Sequence, residues 1–170
     1  MRILAGRWAG AQLTSPAGRV RPTSEEVRGL WMEELGEGLT GASLLDLYAG
    51  SGALGLEALS RGGGRCDFVE NNPAALHALK SNVAALRARD RTRIFKRDVL
   101  DFVEGIRPGT YRIAFADPPY GSRQLDRLVE RWSARPFSDL LAVEHAVDHE
   151  LPPGTRRLVV GFTAVTVYRG

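Results

Sequence analysis

The chain has one cysteine, two lysines and no apolar run long enough to span a bilayer. Each scarcity excludes something. The lone Cys66 rules out an internal disulfide, and its place in Cys66-Asp67-Phe68-Val69-Glu70 makes it a small buried apolar residue rather than a nucleophile. A spanning helix needs roughly 20 consecutive apolar residues, and the start, Met1-Arg2-Ile3-Leu4-Ala5-Gly6, lacks the sustained apolar core of an export signal. The expectation is a cytoplasmic protein with no membrane partner. Lysine is confined to Lys80 and Lys96 among 23 basic residues. Either arginine is there for its planar fork, which suits phosphate and base edges, or codon bias across the genome gives the same count. Acid is missing before Glu25, whereas Arg2, Arg7, Arg19 and Arg21 all precede it, so the first residues form a local positive pole. With a net charge of +3, the balance points to a polyanionic partner. The 170 residues, 44% hydrophobic and 25% charged, fit one globular domain with its own core, and no internal repeat is present.

The stretch Leu44 to Gly55, LLDLYAGSGALG, organises the rest. An apolar run leads into Asp46. Gly50, Ser51, Gly52 and Gly55 follow, and Leu56-Glu57-Ala58-Leu59 resumes with helical spacing. This reads as buried strand, glycine turn and helix start, with the spacing G-x-G-x-x-G. Glycines there allow a tight turn, close approach of a ligand and close packing of helix on strand. Alone the motif is weak, because glycines in such turns often only turn. Glu70 strengthens it: 20 positions after Gly50, it ends the next apolar run, where an acid holds the hydroxyls of a ribose. An adenosine-type cofactor is expected.

Upstream, residues 1–22 read as a two-stranded ribbon, Arg2-Ile3-Leu4 against Gln12-Leu13-Thr14. Such ribbons are marginal alone, so this one must lean on the domain or on a partner. Trp8 either stacks on a nucleobase or packs the ribbon onto the domain. Thr23-Ser24-Glu25-Glu26 fits a capping box with Thr23 as the N-cap. Val27, Leu30, Trp31 and Leu35 then mark an amphipathic helix with Trp31 in the core. Arg28 projects from its first turns, with a surface role as the default and an RNA-facing one as the alternative.

Downstream, strand and helix alternate. The helix ending at Ser60 stops at Gly62-Gly63-Gly64. Pro73 opens the next at a favoured first position, and Thr92-Arg93-Ile94-Phe95 form a third strand that ends near Asp98. Asp98 caps the helix Val99 to Ile106, accepts from the amine of a bound adenine, or does both. Tyr111 to Ala116 form the fourth strand, which runs into Asp117-Pro118-Pro119-Tyr120. A helix around Leu125, Leu128, Val129 and Trp132 follows, then a strand Leu140 to Glu144. Arg157 to Gly161 and Thr163 to Tyr168 close the chain as an antiparallel hairpin. Alternation implies a parallel sheet whose ligands sit beyond the carboxyl ends of the strands, and Gly50, Glu70, Asp98 and Asp117 all fall at such ends. His145 and His149, beside Glu144 and Glu150, have no third ligand at clear spacing, so no metal is expected.

Asp117-Pro118-Pro119-Tyr120 is the most specific element. Two prolines stiffen the backbone, which fixes the directions of the Asp117 carboxylate and the Pro118 carbonyl. Both are acceptors. The lone pair of a nucleobase amine is delocalised into the ring, and two acceptors gripping its hydrogens turn that lone pair toward an electrophile. Tyr120 offers a face for the base. The bland alternative is a rigid turn that ends a strand.

Asp46 to Gly55, Glu70, Asp98 and Asp117-Pro118-Pro119-Tyr120 together resemble the Rossmann-like S-adenosylmethionine-dependent methyltransferases that modify exocyclic amines. More narrowly, Arg2-Ile3-Leu4-Ala5-Gly6, Arg21-Pro22-Thr23 with Arg28, the run Ala49 to Gly62, and Val143-Glu144-His145 look like the RsmD family. Those bacterial enzymes methylate N2 of guanine 966 in 16S ribosomal RNA. The likeness covers nearly the whole chain, with Gly121 to Arg156 weakly matched and trimmed. It implies an α/β fold with a seven-stranded, mostly parallel sheet, an antiparallel last strand, helices on both faces, and a small N-terminal β-hairpin arm. Residues 1–22 would be the RNA-contacting arm and 23–170 the methyltransferase domain. The implied cofactor is S-adenosylmethionine, held by Asp46, Ala49, Gly50, Ser51, Gly52, Gly55, Glu70, Asn71, Asp98 and Val99. Asp117, Pro118, Pro119 and Tyr120 would be catalytic, and Arg2, Arg7, Trp8, Arg19, Arg21 and Arg28 would bind RNA. The partner would be 16S rRNA, naked or within a partly assembled small subunit, and the protein a monomer. Rival readings are an NAD-dependent dehydrogenase, which leaves the Asp-Pro-Pro-Tyr element unexplained; an amino methyltransferase acting on adenine or cytosine of other RNA or DNA; and a non-enzymatic RNA-binding ribosome-assembly factor.

Overall fold

A computed structural model describes residues 1–18 and 23–170. Arg19 and Arg21, expected on the basic arm, lie outside the described residues. The elements in chain order are α1 (Glu25–Leu35), a 3-10 turn, β1 (Ser43–Leu47), α2 (Ala53–Ser60), β2 (Arg65–Val69), α3 (Pro73–Ala85) and a second 3-10 turn. β3 (Thr92–Phe95), α4 (Val99–Glu104), β4 (Tyr111–Ala116), α5 (Gln124–Ala134), β5 (Ser138–Ala146), β6 (Arg156–Val160) and β7 (Thr163–Arg169) complete them. The seven strands form one sheet in the order β3-β2-β1-β4-β5-β7-β6. The first five pair in parallel, and β7 runs antiparallel to both of its neighbours. The parallel strands are those expected from the alternation of strands and helices, and the whole is the Rossmann-like architecture that the family resemblance implies.

Alternate strand residues feed two cores. Leu44, Phe68, Phe115 and Ala142 face α1, α2 and α3, whereas Leu45, Val69, Ala116 and Val143 face α4 and α5. Trp31 is buried as expected, its ring stacked on Phe115 with centroids 5.7 Å apart. Strands buried on both faces read as continuous apolar runs, which is why their limits were legible.

The strand order also fixes where a crevice opens. From β1 the chain winds outward through β2 and β3, then returns to β4 on the other side and winds outward through β5. At such a reversal the loops leaving the two central strands diverge, and ligands bind in the gap they leave. The loops concerned are Tyr48 to Gly52 after β1 and Asp117 to Tyr120 after β4.

The N-terminal ribbon is reduced to a single antiparallel bridge, Arg2 with Gln12, supported by backbone bonds such as Ile3 N–H to the Ala11 carbonyl at 2.9 Å. Ile3 and Leu13 are buried in the larger core, so the ribbon leans on the domain. Arg28 corrects an expectation: rather than facing solvent or RNA, it is fully buried between α1 and α2. Its guanidinium lies 3.4 Å from the Glu57 carboxylate and donates to the Arg2 carbonyl. Glu57 also accepts from the Leu4 and Ala5 N–H groups, at 2.9 and 3.1 Å, and from Arg61 at 2.9 Å. A buried charge survives only when paired, and this cluster welds the ribbon to the helix that leaves the glycine turn. The α1 cap is likewise shifted by one residue. Ser24, not Thr23, accepts from Val27 N–H. Thr23 is thereby released for another contact.

Candidate active site

A cavity of about 590 Å³ opens at the carboxyl ends of the parallel strands. Asp46, Ala49, Gly50, Ser51, Glu70, Asn71, Asp98 and Val99 line it, together with Asp117, Pro118, Pro119 and Tyr120. The glycine turn and the Asp-Pro-Pro-Tyr element, 67 positions apart from Gly50 to Asp117, thus wall one space.

The glycines divide their work. Gly50 has φ +57, and a side chain there would meet nothing within 4 Å. Its bare backbone faces open cavity. Gly52 and Gly55 do not line the cavity and shape it from behind. Gly52, at φ +84, sits at the start of α2, and a Cβ on Gly55 would come within 2.5 Å of the Phe68 ring. Just before them, Tyr48 takes φ +58, a left-handed conformation costly for a residue with a side chain. That bend turns the chain from β1 into the loop.

Glu70 is fixed by three backbone amides. Gly50 N–H donates to Oε2 at 2.8 Å, and Asn71 and Asn72 N–H donate to Oε1 at 3.0 and 2.9 Å. It therefore ties the ends of β1 and β2 together at the cavity wall. Asp98 caps α4, accepting from Asp101 N–H at 3.0 Å, while also lining the cavity. Asp46 is buried and accepts from Gly55 N–H at 2.9 Å. Burial pushes its carboxyl well above the ordinary range, and the nearby Asp117 and Glu70 charges add to the rise.

Asp117 Oδ2 accepts from the Thr23 hydroxyl at 2.5 Å. Tyr120 is anchored on its far side, its hydroxyl 2.9 Å from the Thr163 hydroxyl and 3.4 Å from Glu144 Oε1. Thr23, Tyr48 and Glu144 join the site as cavity residues that the sequence reading did not assign. Glu144 ends the strand expected over Leu140 to Glu144, although β5 runs on to Ala146, and the strand-end rule that picked out Asp117 would have reached it. Asn82 of α3 was also missed. Its buried side-chain nitrogen donates to the Ser51 and Thr14 carbonyls, each at 2.9 Å, and its oxygen accepts from Thr14 N–H at 2.7 Å. One side chain thereby joins the ribbon to the glycine turn.

Of the residues expected to touch RNA, Arg7 is exposed and Arg2 pairs with Glu25 at 3.6 Å across an exposed surface. Trp8 takes the packing alternative, half-buried against the core with the Arg91 guanidinium 6.0 Å from its ring. The His145 ring nitrogens lie 2.8 Å from the Ala146 carbonyl and from the Thr166 hydroxyl, and His149 pairs with Asp126.

The family described as "Conserved hypothetical protein 95" matches residues 1–160. The ribosomal RNA small subunit methyltransferase D of Escherichia coli K12 is 34% identical over 159 residues, 89% of this chain and 78% of its own length. This chain belongs to the RsmD family of methyltransferases. A further relative, described as the "Putative rRNA methyltransferase YlbH" of Bacillus subtilis, is 32% identical over 181 aligned positions that cover 99% of this chain and 98% of that one. The solved structure of Escherichia coli yhhF superposes with a TM-score of 0.87 at 30% identity, covering 99% of this chain and 97% of the other. The fold is thus that of the Rossmann-like class I methyltransferases.

Proposed function

We propose that this protein methylates the exocyclic N2 amine of a guanine in small-subunit ribosomal RNA, of the guanine 966 type, using S-adenosylmethionine, and that it does so as a cytoplasmic monomer. The reading is carried by one observation: the glycine turn and Asp117-Pro118-Pro119-Tyr120 face the same cavity at the point where the strand order reverses. The Escherichia coli relative's description supports ribosomal RNA as the substrate class.

The residues fit such a cofactor. Open space beside the bare Gly50 backbone admits a ligand at contact distance. Two acids, Asp117 and Glu70, lie close enough to raise the Asp46 carboxyl by their charge, and such an acidic setting suits a cationic ligand. Gly50 and Ser51 would hold its amino-acid part, Glu70 the ribose, and Asp98 with Val99 the adenine. When bound, S-adenosylmethionine supplies an electrophilic methyl on a sulfonium centre.

The chain's own residues do the rest. The Asp117 carboxylate has about four lone-pair sites, so it accepts from the target amine while keeping the Thr23 hydroxyl. The Pro118 carbonyl grips the second amine hydrogen, and together they aim the nitrogen lone pair into the cavity. Tyr120, tethered through its hydroxyl to Thr163, stacks beneath the base. A paired guanine could not reach this depth, so the base enters unpaired or flipped. Residues 1–22 contact the RNA through Arg2, Arg7, Arg19 and Arg21, and residues 23–170 carry the transfer.

Labelled cofactor incubated with ribosomal RNA lacking the modification should mark a single guanine in the small-subunit RNA. Asp117→Ala should keep cofactor affinity and lose at least about 100-fold in turnover, as expected when a positioned proton acceptor is removed. Label on adenine or cytosine, or unchanged turnover in this variant, would overturn the proposal.

A further inference from the structure

Three large apolar side chains are exposed among the described residues, Tyr120 at 38%, Val159 at 51% and Phe162 at 85% of their surface, and the last two lie at one corner of the sheet. The corner is the two-residue turn between β6 and β7. Gly161 takes φ +58 there, and Phe162 is presented at the tip. Because Thr163 pairs with Ala146 at the carboxyl end of β5, the turn lies on the same edge of the sheet as the cavity. Thr163 follows Phe162 directly and its hydroxyl meets that of Tyr120 at 2.9 Å, so the exposed ring and the cavity wall are joined through one residue.

A cation is tied to the turn. Exposed Arg157 donates to the Val147 carbonyl at 2.8 Å, and Val147 N–H donates to the Phe162 carbonyl at 2.8 Å. One backbone residue thus ties the Arg157 guanidinium to the turn that carries Phe162. An exposed aromatic ring on a turn tied to a positive charge suits one chemical partner well, a base with its own phosphate. An apolar protein surface would leave the arginine desolvated and uncompensated.

The geometry points to Phe162 and Arg157 as a second nucleotide site: a base flanking the methylated one in single-stranded RNA stacks on Phe162, and its phosphate pairs with Arg157. This rests on the RNA-methyltransferase reading and deepens it by saying how the neighbouring nucleotide is held. Splaying the target base toward Tyr120 breaks a stack in the RNA, and Phe162 restores one outside the cavity.

The test uses the full chain with protein-free ribosomal RNA and, separately, a short unpaired oligonucleotide followed by fluorescence anisotropy. Phe162→Ala should raise the KM for RNA and the Kd for the oligonucleotide about 10-fold, within the range that one stacked base supplies. The kcat at saturating RNA and the KM for S-adenosylmethionine should stay within twofold. Phe162→Trp should restore binding and Phe162→Leu should not, because leucine keeps the apolar bulk and lacks the π-face. Arg157→Ala should lower the salt dependence of binding by about one phosphate contact. Parent-like binding by Phe162→Ala or Phe162→Leu would overturn the inference. So would a loss seen only with an assembled subunit, which would identify the occupant as a protein. If the parent binds the oligonucleotide through Phe162 yet methylates no RNA, the functional proposal fails and the site stands.

Discussion

Asp46 and Glu57 flank the glycine turn, both are buried, and they live in opposite surroundings. Glu57 is saturated, with two backbone N–H groups and two arginines converging on one carboxylate. Asp46 has the Gly55 N–H and, around it, more acid in Asp117 and Glu70. The contrast separates a charge that holds the fold together from a carboxyl whose charge its surroundings disfavour. A compensated buried carboxylate acts as a fastener. An undercompensated one at a cavity wall is a local defect of the free protein that a cation relieves.

The fastener should break hardest. Glu57→Ala strands the buried Arg28 guanidinium and frees the Leu4 and Ala5 amides, so a loss of about 3–5 kcal/mol is expected, read as a fall in the denaturation midpoint. A variant as stable as the parent would mean that the cluster does not fasten the ribbon. On the acidic side, Thr23→Val removes a donor from Asp117 without changing the shape of the side chain. Turnover should fall about 10-fold, the equivalent of one modest hydrogen bond in the transition state, with cofactor affinity intact and Thr23→Ser restoring the rate. An effect on cofactor affinity instead would assign Thr23 to the cavity wall alone.

The smallest effect concerns pH. Because the Asp46 pKa is raised in the folded state, the folded chain binds the proton more tightly than the unfolded one. The group's stabilisation is therefore complete below the ordinary aspartate value of about 3.9 and is lost as pH rises through the folded value. Asp46→Asn should flatten that decline, which thermal unfolding followed across the acid-to-neutral range can test. An unchanged slope would place the titration on another group.

How much of this the chain announces depends on the range of the interaction. Strand ends were legible because each rests on a few contiguous residues: an apolar run, then a breaker. Gly50, Glu70, Asp98 and Asp117 could therefore be placed on one edge without coordinates. Arg28 was misread because its surroundings come from Glu57, 29 positions on, and from the Arg2 carbonyl. A charged residue near the polar start of an amphipathic helix looks solvated until its partner is known. Thr23 and Ser24 are equally good caps by composition, and only the Asp117 carboxylate, brought up by β4, separates them. Phe162 falls between the two runs of the expected hairpin, and nothing local to it announces an exposed ring. Its exposure is set by the two-residue turn that the register of β6 against β7 imposes.

The carboxamide of Asn82 is directional: its nitrogen faces two carbonyls and its oxygen faces one amide. An isosteric carboxylate would set lone pairs against lone pairs at Ser51 and Thr14. The seam between the ribbon and the cavity floor is thus specified by polarity rather than by bulk. A replacement that keeps the volume of that residue and reverses its sense would open the seam along both sides at once.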